Sequence, residues 1–276
     1  MSGSLRMAFF GSSLVSAYWN GAATYYRGII EALHDLGHRI TFYEPDAFDR
    51  QKHRDLAAVP YARSVVYAPD LASMRWCLDD ARSADIVIKC SGVGVLDEAL
   101  EAAVLKLQHS GRKVVFWDVD APATLETVQS RADHPFRRLI PAYDLILTYG
   151  GGAPVVQAYQ ALGAKQCVPI YNALNPATHH PVAKSNRFDA DLAFCGNRMP
   201  DREARVAEFF FKPAGLRPGR RFLLGGNGWD GAAPRLANVR CLGHVYTADH
   251  NAFNATPLAV LNVCRDSMAR FGFSPP

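Results

Sequence analysis

Asp191-Leu-Ala-Phe-Cys-Gly-Asn-Arg198 is a short apolar run that ends in a Gly-Asn-Arg loop, and a helical pattern follows it from about Asp201 to Phe211. Three further apolar runs come next: Arg221-Phe-Leu-Leu-Gly-Gly-Asn-Gly228, Val239-Arg-Cys-Leu-Gly-His244 and Ala259-Val-Leu-Asn-Val-Cys264. Strand, helix and more strands, each strand closed by a polar loop, predict a doubly wound α/β sheet. In such sheets ligands sit at the loops beyond the carboxyl ends of the strands.

The same alternation fills the first half of the chain. Arg6-Met-Ala-Phe-Phe10 reads as a buried strand leading into Gly11-Ser12-Ser13. A helix is expected from about Ala22 to Leu36, with Ile29, Ile30, Leu33 and Leu36 on one face and Gly37 as its stop. Further strands are expected at Arg39–Tyr43, Ser64–Tyr67, Asp85–Lys89, Lys113–Trp117, Asp144–Thr148 and Gln166–Ile170. Helices are expected at Leu71–Ser83, Leu96–His109 and Ala153–Leu162. Such alternation with short connections argues for a mostly parallel sheet covered on both faces. Residues 172–188 have no clear period and read as a linker. The expected organisation is a Rossmann-like domain over 1–171, a linker over 172–188 and a partial Rossmann-like domain over 189–276.

A hydrophobic fraction of 49% suits a globular protein, and no run approaches the ~20 apolar residues of a membrane helix. The N-terminus reads as no signal peptide, and the six scattered cysteines include no C-x-x-C pair. Buried free thiols in a reducing cytoplasm are the expectation. The net charge of +4 is unevenly placed: residues 1–186 hold 18 basic and 18 acidic side chains, and residues 187–276 hold 12 and 8. That excess suits an anionic ligand such as a nucleotide diphosphate. No dense basic stripe of a duplex-binding protein is present, so nucleic acid is not an expected partner.

Asn20-Gly-Ala-Ala-Thr-Tyr-Tyr-Arg-Gly-Ile-Ile, followed by Leu36-Gly37-His38-Arg39-Ile40-Thr41, resembles the opening of a GT-B glycosyltransferase. Phe116-Trp-Asp118-Val-Asp120-Ala-Pro122, Leu147-Thr-Tyr149-Gly-Gly-Gly152 and Tyr171-Asn-Ala-Leu-Asn-Pro176 narrow the likeness. With Phe194-Cys-Gly-Asn-Arg198 and Gly243-His-Val-Tyr246, they resemble the CgeB-like group, spore maturation protein CgeB and its relatives. The resemblance implies two Rossmann-like domains, with a nucleotide-sugar donor on the second, an acceptor on the first and chemistry in the cleft. It implies hexosyl transfer without a catalytic metal or other cofactor. Relatives often carry Asp-Pro where this chain has Asn175-Pro176. They also continue past the Phe-Ser-Pro segment with an Arg-x-Phe-Glu-type helix that holds the donor diphosphate and ribose. On that basis the chain is expected to be a C-terminally truncated form.

Arg198, in the Gly196-Asn197-Arg198 loop, is the leading candidate for the donor, because a guanidinium pairs two phosphate oxygens at once. The alternative is an ion pair with Asp201 or Glu203. Gly226, Asn227 and Gly228 close a strand where glycine lets backbone approach a ligand. Trp229 either stacks on a base or packs under a tight turn. His244, Val245 and Tyr246 resemble the loop that receives the nucleoside base, and a plain loop histidine is the alternative.

Asp118 and Asp120 flank one valine at a strand end and share a face if the strand reaches that far. A carboxylate there can deprotonate an acceptor hydroxyl, or it can cap the turn before Pro122. Formally the pair is also a D-x-D, which leaves a metal-using reading open. Gly11, Ser12, Ser13, Asn20 and Gly21 either line the first domain's side of the cleft or permit close packing. Lys89, Tyr149, Gly150 and Gly151 are placed with them, the glycines being either cleft-facing or a flexible turn. His179 and His180 are adjacent and point apart in an extended segment, so no metal site is expected there.

Glycosyl transfer from a nucleotide-sugar is thus the leading expectation, with inversion or retention left undecided. The alternative is a non-catalytic nucleotide- or carbohydrate-binding or assembly protein. A Rossmann dehydrogenase is disfavoured by the missing G-x-G-x-x-G after the first strand.

Overall fold

A computed structural model describes residues 3–171 and 174–270. They form two compact units, one carrying residues 3–171 together with Arg270, the other 174–269. Asn172, Ala173 and 271–276 lie outside the described residues, including the start of the expected linker and the Phe-Ser-Pro segment.

The first unit is one seven-stranded sheet. Its strands are β1 (Arg6–Phe10), β2 (Arg39–Pro45), β3 (Arg63–Tyr67), β4 (Ile86–Cys90), β5 (Lys113–Asp118), β6 (Leu145–Thr148) and β7 (Cys167–Pro169). They lie in the order β3-β2-β1-β4-β5-β6-β7, each pair parallel. Strands β1, β4 and β5 are buried on both faces, which is why they read as unbroken apolar runs. Phe9, Phe42, Tyr26 and Trp117 pack together on one side, with ring centroids 5.5–6.3 Å apart. Phe116, Phe136 and Tyr143 pack together in a second group. The crossover helices are α1 (Ala23–Asp35), α2 (Leu71–Asp80), α3 (Asp97–Leu105), α4 (Ala121–Ser130), α5 (Pro135–Leu139) and α6 (Gly152–Ala161). Gly37 at φ +89 ends α1: its N–H donates to His34 O, and the His38 N–H donates to Leu33 O. That left-handed cap is the reason a glycine is required there.

The second unit repeats the opening of this topology. Strands β8 (Leu192–Cys195), β9 (Phe222–Gly225), β10 (Val239–Gly243) and β11 (Ala259–Leu261) lie in the order β10-β9-β8-β11, all parallel. In both sheets chain order therefore reverses beside the first strand, between β1 and β4 and between β8 and β11. Helix α7 (Pro200–Val206) runs through a π turn at Ala207–Phe211 into α8 (Lys212–Leu216). Pro213 explains the irregular turn, since it offers no N–H to the carbonyl one turn back. Phe194, Phe210, Phe211, Phe222 and Trp229 form the core against this helix. Helices α9 (Thr247–Ala255) and α10 (Asp266–Arg270) complete the described elements.

Residues 174–188, expected to link the domains, count with the second unit. Phe188 is buried against Phe253, the Ser185 N–H donates to Thr256 Oγ1, and Arg187 pairs with Asp249 at 2.8 Å.

Candidate functional site

The loops after β8, β9 and β10 meet at the carboxyl edge of the second sheet. Gly226 is the pivot: at φ +118, a Cβ there would stand 2.2 Å from Gly196 O, so only glycine lets the β9 loop lie against the β8 loop. Four hydrogen bonds fix this edge, three between the β8 and β9 loops and one from the β9 loop to the end of β10. The Arg198 N–H donates to Asn227 O at 2.8 Å and the Asn227 N–H donates to Asn197 Oδ1 at 2.9 Å. The Gly226 N–H donates to Gly243 O at 2.7 Å, and the Trp229 indole N–H donates to Gly196 O at 2.8 Å. Asn227 Nδ2 also lies 3.2 Å from His244 Nδ1, and the His244 ring meets Tyr246 edge-on at 4.4 Å. Gly196, Asn197, Arg198, Gly226, Asn227, Gly228, His244 and Tyr246 are thus one assembly.

Within it, Arg198 and Tyr246 are exposed and Asn197, Asn227 and His244 are half-buried. Arg198 forms the ion pair that sequence left open as its alternative: its partner is Glu203, at 2.8 Å. Asp201 is engaged elsewhere, by Arg265 at 2.7 Å and by the Ser267 hydroxyl at 3.0 Å. Both Arg198 and Glu203 are about two-fifths exposed, so the pair is weak and an incoming polyanion can replace the carboxylate. Trp229 takes its second reading. It is 4% exposed, packed edge-on to Phe194 and Phe211, and acts as the floor of the loop rather than a surface for a base. Val245 is likewise buried under the loop. Cys195 is exposed as a residue, yet its thiol is shielded from water and pushed up to about 11, so it is no thiolate nucleophile at neutral pH.

In the first unit the structure separates Asp118 from Asp120. Strand β5 ends at Asp118, and Asp120 precedes α4, so the two share no strand face. Asp118 is fully buried and accepts from Ser91 Oγ at 2.8 Å, Thr124 Oγ1 and the Asp120 N–H at 3.0 Å, and the Tyr159 hydroxyl. Burial holds its carboxyl above the usual range, against the pull of these donors. Fully buried and tied to three donors on Oδ1 and one on Oδ2, it fastens the strand end out of reach of a substrate, which corrects the expectation of catalysis there. Asp120 is half-buried and makes no side-chain cap to α4, so its capping alternative is not realised.

Lys89 is also corrected. Its side chain is 0% exposed and its ammonium lies 2.5 Å from Asp97 and 3.3 Å from Glu101, two carboxylates on one face of α3. The loop after β1 takes its packing reading. The Ser12 hydroxyl donates to Asn20 Oδ1, Ser13 Oγ donates to the fully buried Glu44, and the Asn20 amide donates to Ser13 O and Ser16 O. A Cβ on Gly11 would fall 2.3 Å from the Phe42 ring. Gly21 is exposed. Tyr149 is half-buried, Gly150 O accepts from Thr148 Oγ1, and Gly151 at φ +93 starts α6, so this turn is fixed.

Sequence reading passed over three features. Arg202 donates to Asn197 O at 3.3 Å and so steadies the Gly-Asn-Arg loop. Glu44 gathers the Leu14 N–H at 2.6 Å and the Gln51 amide at 2.7 Å beside Ser13. Trp19, Phe48 and Asp49 hold left-handed backbone at φ +48, +58 and +55. For side chains with a Cβ this costs about 1–2 kcal/mol each and points to two constrained loops, one after β1 and one after β2.

Among the described residues no group of three His, Cys, Asp or Glu side chains is placed to hold a metal ion, and no helix is long and apolar enough to cross a membrane. All six cysteines are free; Cys77, Cys90 and Cys167 are buried, while Cys195 and Cys241 are exposed.

Residues 202–275 match a family model described as glycosyl transferase-like. No curated protein matches the chain in sequence. Among solved structures, the sucrose-phosphate synthase of Thermosynechococcus elongatus superposes with a TM-score of 0.64 at 12% identity, over 93% of this chain and 74% of that one. Anabaena HepE in complex with UDP and glucose gives 0.61 at 12% identity, over 91% and 72%. An α-glucosyltransferase in complex with UDP and a DNA containing an HMU base gives 0.59 at 14% identity, over 92% and 71%. These likenesses show the fold, an α/β chain with parallel sheets of the kind found in GT-B glycosyltransferases.

Proposed function

We propose that the chain transfers a sugar, of hexosyl type, from a nucleotide-activated donor to an acceptor hydroxyl, and that it is a CgeB-like member of the GT-B enzymes. One observation carries this reading. The loops after β8, β9 and β10 are already locked into a single polar surface at the carboxyl edge of a parallel sheet, and part of that surface lies in the stretch that matches the glycosyl transferase-like family. Neighbours of the same fold are solved with UDP, which makes a uridine diphosphate sugar the first donor to test.

In this reading Arg198 leaves Glu203 and pairs with the diphosphate, offsetting charge that grows on the leaving group. The backbone at Gly226–Gly228 lies against the nucleotide, and His244, Val245 and Tyr246 receive the base, with Trp229 as their floor. Asp120 serves as the base on the acceptor hydroxyl if the reaction inverts. No metal cofactor is required, so turnover should survive a chelator.

UDP-, GDP- and dTDP-sugars raise the melting temperature of the second unit in this scheme. Arg198→Ala weakens donor binding by about 1.5–3 kcal/mol, the range for a hydrogen bond to a charged group. Asp120→Asn abolishes transfer and leaves donor affinity unchanged. A full donor panel that shifts nothing would overturn the proposal. Donor binding with no turnover under any acceptor would instead favour a non-catalytic nucleotide-binding protein.

A further inference from the structure

We propose that the first unit holds an oxyanion site at Arg50, where the free edge of a fixed guanidinium takes the carboxylate or phosphate of a small molecule. The site stands on residues of the first unit alone. Under the transferase reading its occupant is an acidic acceptor, and that clause rests on that reading.

Arg50 lies in the loop between β2 and β3. Its Nη1 donates to Ser12 O at 3.2 Å and to Val93 O at 3.1 Å. Those carbonyls belong to the loops after β1 and β4, so the guanidinium spans the place where strand order reverses. Ligands of open parallel sheets bind at that place. Arg50 is 5% exposed, and its Nε–H is shielded from water with no hydrogen-bond partner. Nη2 has no partner either among the described residues, and it is not shut off from water. Nε and Nη2 form the edge of a guanidinium whose parallel N–H groups match two oxygens of a carboxylate or phosphate. The Phe48 ring covers a face of the group, with its centroid 5.0 Å from Cζ.

Two other buried arginines of this unit show what is missing. Arg27 uses all three nitrogens, on Leu14 O and both oxygens of Asp55. Arg112 places its three on the carbonyls of Ala84, Leu107 and Arg82. Arg50 uses one nitrogen, and among the described residues no carboxylate lies within ion-pair distance of it. The carboxylates whose charge reaches it are committed elsewhere. Glu44 accepts from Ser13, the Leu14 N–H and Gln51, and Asp97 from Lys89 and the N–H groups of Val93 and Gly94. Desolvation accordingly draws the Arg50 pKa below the ordinary arginine value, against the opposing charges of Tyr26, Glu44 and Asp97. A water satisfies a donor and leaves the buried charge uncompensated. An oxyanion answers both donors and the charge in one contact.

The test titrates the full chain at low salt, read by calorimetry and by NMR of the arginine Nε–H groups. The probes are inorganic phosphate, glycerol phosphate and glucuronate, with glycerol and methyl glucoside as neutral parents. At least one anion should bind, and the neutral parents should not. The Arg50 Nε–H signal of the wild type, assigned through its own side chain, should move as that anion is added. Arg50→Lys keeps the charge and loses the paired edge, and should weaken binding about tenfold or more, the scale of one charge-assisted hydrogen bond. Arg198→Ala, in the second unit, should retain the response at Arg50. Preference for the phosphates or for glucuronate identifies the source of the oxyanion. An unmoved Arg50 signal, equal affinity in folded Arg50→Lys, equal binding of the neutral parents, or no anion binding overturns the proposal. The wild-type signal decides the matter even where Arg50→Lys does not fold. Failure of the transferase reading registers separately, as the absence of any donor-induced shift, and an anion response at Arg50 then still upholds the site.

Discussion

Across the reversal point of the first sheet β1 is paired with β4, which is buried from Val87 to Cys90 and flanked on its far edge by β5. At the corresponding place in the second sheet stands β11, where Ala259 and Val260 are exposed and β8 is the paired neighbour among the described residues. The opening strand order is the same and the environment of the fourth strand is not. A parallel strand owes its burial to the layers around it, and topology alone does not supply them. The two units also fix their loops differently. The first uses buried ionisable side chains: Glu44 under the Ser13 loop, Asp118 under the β5 end, and Lys89 between two carboxylates. The second uses backbone amides and asparagines.

The deepest packing should show the largest contrast. Trp117→Ala empties a site that is 1% exposed and should cost about 3–5 kcal/mol, lowering the unfolding transition of the first unit while that of the second stays in place. A shared shift of both transitions would mean that the units unfold as one. A matched pair is sharper. Val87 pairs with Ala8, and Val260 with Ala193, at the middle of the two equivalent strands. Val87→Ala should cost about 2 kcal/mol in urea denaturation and Val260→Ala less than about 0.5 kcal/mol. Equal costs would show β11 to be as covered as β4.

Gly226→Ala attacks the backbone device of the second unit. The added methyl meets Gly196 O, so the loop must open, at about 1–3 kcal/mol of stability and with loss of donor-induced thermal shift. The smallest effect concerns the first unit's buried carboxylate. Because burial raises the Asp118 pKa, its contribution is fully present below the unfolded value of about 4 and declines as pH rises through the folded value. The stability of wild type relative to Asp118→Asn should therefore fall above about pH 4, as followed by urea melts at a series of pH values. A wild-type advantage that grows with pH would show the carboxylate to be favoured in the fold.

Much of this architecture was legible because apolar runs and glycines mark strand ends. β1 matches its expected limits, and α1 differs by one residue at each end. The Gly-Asn-Arg and Gly-Gly-Asn-Gly loops were found for the same reason. Helices α4 and α9 were passed over: α4 begins at Ala121-Pro122, where proline reads as a break although it suits a first turn. Burial of Asp118 was not legible, since its partner Tyr159 lies 41 residues away. Lys89 did leave a signal, as Asp97 and Glu101 are four apart and share a helix face. The strain at Trp19 had none, because no residue type announces a left-handed backbone except glycine and asparagine.

The Asn197–Asn227 lock has a consequence for recognition. Its loops lose their freedom when the chain folds, before any ligand arrives. A ligand therefore meets a fixed mould and bears little ordering entropy on docking. Encounter should be governed by diffusion and orientation rather than by loop search. Discrimination should follow from shape misfit, so that close analogues differ mainly in how long they stay.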